Sequence, residues 1–319
     1  MSSTNPKRVG VIGLGLLGRG IAACFLGHGF EVIGFERDQK IETSVREHIA
    51  EMIDELIEIG GFEMSLRKSW VSRYSFTNDF AALRDCSFIV ESVTEDAATK
   101  LAVFDGVEAH VSPATIIASN SSAIPITKLQ QNRKHPERFL AMHWAEPAHA
   151  TRFMELIPGE KTSNATLKTT LTLAKSLGKD PVVLTKDIPG FIVNRIGYAM
   201  YREALSLLDS GIADAETIDR SMRNALGLWA TLCGPLRWID LTGGPELYAK
   251  ALQNVLPTLN NSAEIPRPLR ELAEAGARGV VNGRGFYNYT PEEAQRWSEL
   301  YRQHAWRVTQ MQNEYFPIK

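Results

Sequence analysis

The sequence predicts an α/β protein: a doubly wound sheet domain over residues 1–187, then a mainly α-helical domain over residues 188–319. Three observations predict it. Short apolar runs alternate with helix-length amphipathic segments through the first half. A glycine-rich turn follows the first of those runs and opens a helix. Near residue 187 the alternation stops, and helical patterns with few strand-like runs continue to the end.

The strands come first. Arg8–Ile12, Glu31–Phe35, Ser87–Val90 and Thr115–Ala118 are short apolar runs bounded by turn or polar residues. That pattern suits strands buried on both faces of a parallel sheet. Between the second and third, Val45, Ile49, Met52, Ile53, Leu56 and Ile57 recur on one face of a helix. Strands alternating with helices imply right-handed crossovers. The turn Asp187-Ile188-Pro189-Gly190 then opens a long helical pattern from Phe191 to about Asp209, closed by Gly211. Proline near the start and glycine past the end follow the asymmetry of helix ends. Leu256–Pro268, with three prolines and two adjacent asparagines, reads as an irregular connection. Pro291-Glu292-Glu293 opens a final helix with acidic residues in its first turn.

Composition narrows the function classes. The 319 residues are 44 % hydrophobic and 23 % charged, ordinary values for a globular chain with a substantial core. The formal net charge of −2 leaves no basic excess for nucleic acid phosphates or anionic lipid. Met1–Pro6 has no apolar core of signal-peptide type, and Val9–Leu26 is interrupted by five glycines and an arginine, so no membrane span is expected. Three scattered cysteines, Cys24, Cys86 and Cys233, form no CxxC pair. They imply a reducing, cytoplasmic setting and no metal site.

Gly13-Leu14-Gly15-Leu16-Leu17-Gly18 lies between the first strand and the first helix. In that context the first glycine permits the tight turn, the second lets a pyrophosphate approach the backbone, and the third lets helix and strand pack closely. The N–H groups at Leu16 and Leu17 would meet the phosphates at the helix N-terminus. Glu36 stands eighteen residues past Gly18, at the end of the second strand. A carboxylate there accepts from a ribose diol and repels a 2′-phosphate, which favours NAD over NADP. Arg37 beside it works in the opposite sense. The plainer reading is a glycine-rich turn with no ligand.

Four polar residues draw attention further on: Ser122, His143, Glu155 and Asn194. Each has a plainer reading alone. Ser122, in Ser119-Asn120-Ser121-Ser122, belongs to a polar turn capping a helix. His143 ends an apolar strand as a structural histidine. Glu155, in Phe153-Met154-Glu155-Leu156-Ile157, points to solvent by strand alternation, and Asn194 is one polar position on an apolar helix.

Together these residues resemble a known family. Ala118-Ser119-Asn120-Ser121-Ser122, Pro136-Glu137-Arg138-Phe139, Met142-His143-Trp144, Glu155 and Asp187-Ile188-Pro189-Gly190-Phe191-Ile192-Val193-Asn194-Arg195 are similar to the L-3-hydroxyacyl-CoA dehydrogenases. Gly234-Pro235-Leu236 with Asp240, and Gly283-Arg284-Gly285-Phe286-Tyr287, fit the C-terminal domain of that family. The resemblance spans about residues 7–290. It implies a Rossmann-like NAD-binding domain, a helical domain that forms a homodimer, and an active site in the interdomain cleft. It implies that His143 is the general base and that Glu155 orients its ring and favours its protonated form. Ser122 and Asn194 would hydrogen-bond the substrate oxygen or the nicotinamide edge. Glu95 and Lys100 match positions that face the cofactor, with a pair of surface charges as the plainer reading.

The chain departs from the family in three places. After the histidine, His143-Trp144-Ala145-Glu146-Pro147 carries Glu146 where the family has an asparagine near the nicotinamide. A carboxylate there favours a positive charge, on oxidised nicotinamide or on a cationic substrate, unless it turns to Arg152 or to solvent. Glu42–Glu58 holds six carboxylates against one arginine, a net −5 on a face where acyl-CoA enzymes of the family present basic groups. Val281 stands where the family has a lysine near the C-terminal end. These departures favour a small 3-hydroxy acid or similar hydroxylated carboxylate, as in the relatives that act on sugar acids, carnitine or hydroxymethyl-pyridine carboxylates. Arg152 is then a candidate clamp for the substrate carboxylate, or a surface arginine. Two other readings stay open: a true L-3-hydroxyacyl-CoA dehydrogenase, and a non-catalytic NAD-binding structural or sensor protein. The 30 residues past Tyr289 run beyond the usual family end and carry Trp297, Tyr301, Trp306 and Met311. They suit packing on a dimer partner, over the cleft or on their own domain.

Overall fold

The structure, a computed structural model, describes residues 8–318. The chain divides into two compact units: one holds the chain up to Ile192 and from Ala305 onward, the other Val193–His304.

The first unit is built on eight strands: β1 (Arg8–Ile12), β2 (Glu31–Phe35), β3 (Tyr74–Thr77), β4 (Phe88–Glu91), β5 (Ile116–Ser119), β6 (Phe139–His143), β7 (Phe153–Pro158) and β8 (Asp180–Val183). They form one sheet in the order β3-β2-β1-β4-β5-β6-β7-β8. All neighbours are parallel except β6 and β7. The exception has a simple cause: residues 144–152 are too short for a crossover, so the chain reverses. The order turns back between β1 and β4, the crevice where open α/β sheets take ligands at the carboxyl ends of their strands.

Helices α1 (Leu16–Gly27), α2 (Glu42–Glu58), α3 (Leu66–Ser69), α4 (Ala97–Glu108), α5 (Ile126–Leu129) and α6 (Asn164–Ser176) cover the sheet. Alternate residues feed two separate cores. Val9, Val11, Val32 and Val90 pack with α1 and α2 on one face. Ile12, Ile89, Ile117 and Ile157 pack with Phe104 of α4 on the other. The six apolar residues of α2 picked out by their spacing are the buried ones. The outer strands β3 and β8 were not anticipated. Each lies at a sheet edge, and Val182 and Val183 of β8 stay exposed, so neither reads as a continuous buried run.

The second unit is helical throughout its regular structure: α7 (Val193–Asp209), α8 (Ala215–Ser221), α9 (Gly227–Ala230), α10 (Pro235–Leu241), α11 (Gly244–Val255), α12 (Arg267–Glu274) and the start of α13 (Pro291–Tyr315). None of its residues is buried.

The partition differs from the sequence expectation at the C-terminus. Residues 188–319 were expected to stay together, but α13 ends in the first unit. Ala305, Trp306 and Thr309 fall on one helical face and are buried there. Trp306 Nε1 donates to Glu55 Oε2 at 3.1 Å, and Thr309 Oγ1 donates to the Ala150 carbonyl at 3.1 Å. Of the three placements open for this extension, its last residues take none in full: they pack on the sheet domain of their own chain.

Candidate active site

The turn after β1 is shaped by its glycines. Gly13 has φ +87°, and a Cβ there would sit 2.6 Å from the Ser92 carbonyl oxygen. A Cβ on Gly18 would lie 1.8 Å from the Gly13 carbonyl oxygen, so only glycine lets α1 start this close to β1. A Cβ on Gly15 would meet nothing within 4 Å. Gly15 is therefore not demanded by the protein's own packing; its bareness exposes backbone to a ligand. No side chain caps α1, and its first N–H groups, at Leu16 and Leu17, have no carbonyl within the helix to bind. Gly13, Gly15, Glu36, Arg37, Ser92 and Thr94 help to line a cavity of about 270 Å³. Glu36 Oε2 accepts from Leu14 N–H at 3.2 Å and Oε1 from Arg37 N–H at 2.8 Å, which holds the carboxylate against the turn. An anion-binding helix end, a bare glycine and an acid at the end of β2 together fit NAD.

At the end of β4 a buried network supports the next loop. Glu91 Oε1 accepts from Lys100 Nζ at 2.8 Å and from Val93 N–H at 2.7 Å, while Oε2 accepts from Ser119 Oγ at 2.6 Å. Lys100 also lies 3.3 Å from Glu95 Oε2. Glu95 Oε1 in turn gathers the loop, accepting from Ser121 Oγ at 2.6 Å and from the N–H groups of Ser122, Ala123 and Ile124 at 2.8–3.2 Å. Burial works to raise the Glu95 pKa, but the Ser121 hydroxyl, the loop N–H groups and Lys100 outweigh it, and the carboxyl is held below its ordinary range. These bonds revise the expectation for both residues. Lys100 is fully buried with its ammonium between the Glu91 and Glu95 carboxylates, so it is no surface charge and its bonds brace the fold. Glu95 binds the loop that carries Ser122.

His143 and Glu155 end one strand and sit within the next, as register partners on β6 and β7. His143 Nδ1 lies 2.9 Å from Glu155 Oε2, and His143 Nε2 lies 3.2 Å from Ser122 Oγ. Glu155 Oε1 accepts from Ile192 N–H at 3.1 Å. Both side chains are buried, and Phe153 and Phe191 close on the imidazole edge-to-face at 5.6 and 5.4 Å. Glu155 does not point to solvent, because the second face of β7 is covered by the chain around Phe191. With Nδ1 within hydrogen-bond distance of the Glu155 carboxylate, the geometry suits the tautomer protonated at Nδ1, whose Nε2 lone pair faces Ser122. Of the four residues singled out, the first unit brings together Ser122, His143 and Glu155. Asn194 stands in the first turn of α7, in the second unit.

Two other candidates take different roles. Arg152 is buried, and its Nη2 pairs with Asp180 Oδ2 at 3.0 Å. That bond ties the start of β7 to β8, so Arg152 is not a surface residue. Glu146 is half-buried. Burial, with Glu55 adding to it and Arg19 opposing, pushes its carboxyl up to about 7. The acidic face of α2 is also less bare than its sequence: Arg46 pairs with Glu42, Arg67 with Asp54 and Glu58, and His149 with Glu55.

Sequence reasoning missed Glu91, Asn120 and Lys179. Asn120 Oδ1 accepts from Trp144 N–H at 2.9 Å and Nδ2 donates to Ser92 Oγ at 3.1 Å, tying the ends of β4, β5 and β6 together. Lys179 is buried 5.1 Å over the Trp144 ring and donates to the Ala148 and Thr151 carbonyls. Glu91 alone left a signal, a charge closing an apolar strand at the height of the glycine turn.

Residues 8–188 match the 3-hydroxyacyl-CoA dehydrogenase NAD binding domain, and residues 190–289 match the 3-hydroxyacyl-CoA dehydrogenase C-terminal domain. The chain is 32 % identical over 288 residues to a 5-formyl-3-hydroxy-2-methylpyridine 4-carboxylate 5-dehydrogenase of Mesorhizobium japonicum, covering 90 % of this chain and 92 % of the relative. It is 33 % identical over 283 residues to a probable 3-hydroxybutyryl-CoA dehydrogenase of Deinococcus radiodurans, covering 88 % of this chain and all of the relative. Among solved structures, a 5-formyl-3-hydroxy-2-methylpyridine 4-carboxylic acid 5-dehydrogenase, described as an NAD+-dependent dismutase, superposes with a TM-score of 0.87 at 30 % identity, covering 98 % of this chain and 99 % of its own.

Proposed function

We propose, from the premise that this chain belongs to the 3-hydroxyacyl-CoA dehydrogenase family and is an NAD-dependent dehydrogenase acting on a CH–OH group, that its substrate is a small 3-hydroxy acid or similar hydroxylated carboxylate and that its base is the His143–Glu155 pair. The observation that carries the reading is the line Ser122–His143–Glu155, with bonds of 3.2 and 2.9 Å and with the imidazole and the carboxylate buried. NAD, when bound, supplies the acceptor for the hydride. The protein's residues do the rest. His143 Nε2 takes the hydroxyl proton, Glu155 holds the ring and meets the charge it gains, and Ser122 donates to the oxygen left on the carbon. Asn194 is assigned the second polar contact to that oxygen or to the nicotinamide edge.

The small-acid reading is supported by Val281 at the expected lysine and by the Mesorhizobium relative, whose name specifies a pyridine carboxylate. The paired arginines on and beside α2 leave less acidic repulsion than the sequence implied, so a short 3-hydroxyacyl-CoA stays as the second reading, favoured by the Deinococcus relative. A screen following NADH absorbance separates them: free hydroxy acids and hydroxylated aromatic carboxylates are expected to turn over. Turnover of the CoA esters alone would remove the preference.

The second unit supports a homodimer. Among its 112 residues none is buried, while Ile196, Tyr201, Leu228, Leu236, Leu247 and Leu252 are exposed. A helical unit without a core of its own needs an apolar partner surface, and a second copy is the occupant we assign. Light scattering should give twice the chain mass of 35.4 kDa. No helix among the described residues is long and apolar enough to cross a membrane. The three free cysteines support a reducing, cytoplasmic location.

A further inference from the structure

The turn that leads out of β8 is anchored to the sheet domain at two points. Leu184 N–H donates to the Leu156 carbonyl at 3.0 Å, and Asp187 Oδ2 accepts from Thr127 N–H at 2.7 Å. Between these anchors and Ile192, where the first unit's main stretch ends, the chain turns left-handed: Gly190 has φ +76° and Phe191 φ +49°. Glycine adopts that region freely, but a residue with a Cβ does so at a cost. Among the described residues only Asn132 and Phe191 do so without being glycine, and asparagine is a type that tolerates it. The backbone alone does not demand phenylalanine, since a second glycine would follow the same path unstrained. The side chain supplies the reason. Phe191 is fully buried, in the core that holds Ile12, Ile126, Leu129 and Ile157. Its ring centroid lies 5.4 Å from that of the His143 imidazole, with the planes at 60°. The next residue, Ile192, turns its N–H to Glu155 Oε1 at 3.1 Å, while Glu155 Oε2 faces His143 Nδ1.

We propose that Phe191 is a positioning residue for the His143–Glu155 pair: its buried ring holds the turn left-handed, and the turn in that form fixes both members of the pair. The ring packs against the imidazole and limits its rotation. The left-handed backbone aims the Ile192 N–H at Oε1, so the carboxylate is held at one oxygen by the turn and at the other by His143. The ring also keeps water from the pair, and in that low-dielectric setting the contact between imidazole and carboxylate is stronger than in water. Backbone strain persists only where the surrounding structure over-determines it, and it gathers at sites of chemistry. The Phe191 side chain has no polar atom to offer a substrate, so its part is to place the groups that have. This inference rests on the reading of His143 as the base and deepens it.

The test follows two protons of the whole chain by NMR: the one on His143 Nδ1, seen with isotope-labelled histidine and assigned by its loss in His143→Ala, and the amide of Ile192. In the native protein both are expected to exchange slowly with water. In Phe191→Ala, where no ring holds the backbone left-handed, both should exchange at least about tenfold faster, as groups do when local opening exposes them. Phe191→Leu keeps apolar bulk in the same core and should recover part of the protection. Should the alanine variant not fold, the leucine variant reads the same dependence, with both protons exchanging faster than in the native protein. A folded variant that keeps native exchange at both protons, whatever its melting temperature, would overturn the proposal and leave the reading of His143 intact, because Phe191 would then be packing alone. A native protein in which His143 carries no protected Nδ1 proton would instead defeat the tautomer beneath the proposal, and the proposal with it.

Discussion

His143 and Glu155 face one another as register partners across the only antiparallel pair in the sheet, with Nδ1 2.9 Å from Oε2. Strand pairing, not loop conformation, sets that distance. The nine-residue connection makes β7 run back beside β6, and the register places imidazole and carboxylate at the same height. Replacing His143 by alanine is expected to lower kcat by about a hundred- to ten-thousand-fold, the usual contribution of a general base. NAD binding should persist, since the glycine turn and Glu36 are untouched. Unchanged turnover would remove His143 from the chemistry.

The sequence made these parts legible to different degrees. The strands Arg8–Ile12 and Glu31–Phe35 were readable to the residue because they are buried on both faces, and the spacing of α2 named its buried residues. The glycine turn was readable because its steric demands are local. The roles of Glu95, Lys100 and Arg152 were not. A charged side chain looks the same in sequence whether it meets a ligand or a buried partner, and the partners Glu91 and Asp180 became neighbours only through sheet order. The landing of Trp306 on Glu55, across most of the chain, left no local trace either.

Gly15 and Gly18 separate ligand from fold. Gly18→Ala would bring a Cβ to 1.8 Å from a backbone oxygen, so it should sharply lower the melting temperature. Gly15→Ala meets nothing in the protein and keeps an ordinary backbone angle of φ −66°. Its melting temperature should stay put while NAD affinity falls at least about tenfold, because the methyl occupies the diphosphate's approach. Equal melting losses in both variants would contradict the reading of Gly15.

Lys100 is a brace. Lys100→Met keeps the side-chain length but leaves Glu91 buried without its cation. Breaking a buried pair by removing one partner costs about 3–5 kcal/mol. Denaturant unfolding of the Met variant should show a loss of that order. Native stability together with weakened NAD binding would return Lys100 to the cofactor.

The C-terminal turn of α13 should contribute to the stability of the sheet domain. Trp306→Phe keeps an aromatic ring but removes the N–H donated to Glu55 and part of the indole that packs beside Gly60. A hydrogen bond to a charged group contributes about 1.5–3 kcal/mol. A loss near the lower end is expected, because Glu55 stays partly solvated and keeps His149. Denaturation monitored by far-UV circular dichroism would measure it, and no change in midpoint would mean that water replaces the indole at no cost.

Glu95 should give the loop around Ser122 an acid-sensitive anchor. Its folded carboxyl is held below the ordinary carboxylate range, so the folded state favours the ionised form more than the unfolded chain does. A depressed folded pKa contributes stability that is fully present above the unfolded value of about 4.3 and is lost as pH falls through the folded value. Glu95→Gln keeps an acceptor for the N–H groups of residues 122–124 but lacks the charge that binds Lys100. The melting-temperature gap between native protein and variant should therefore be widest near neutral pH and should narrow on acidification below about pH 4. The carboxylate is partly exposed, so solvent screening keeps that gap small. A gap of constant width from pH 7 to pH 3 would mean that Glu95 holds the loop by shape alone.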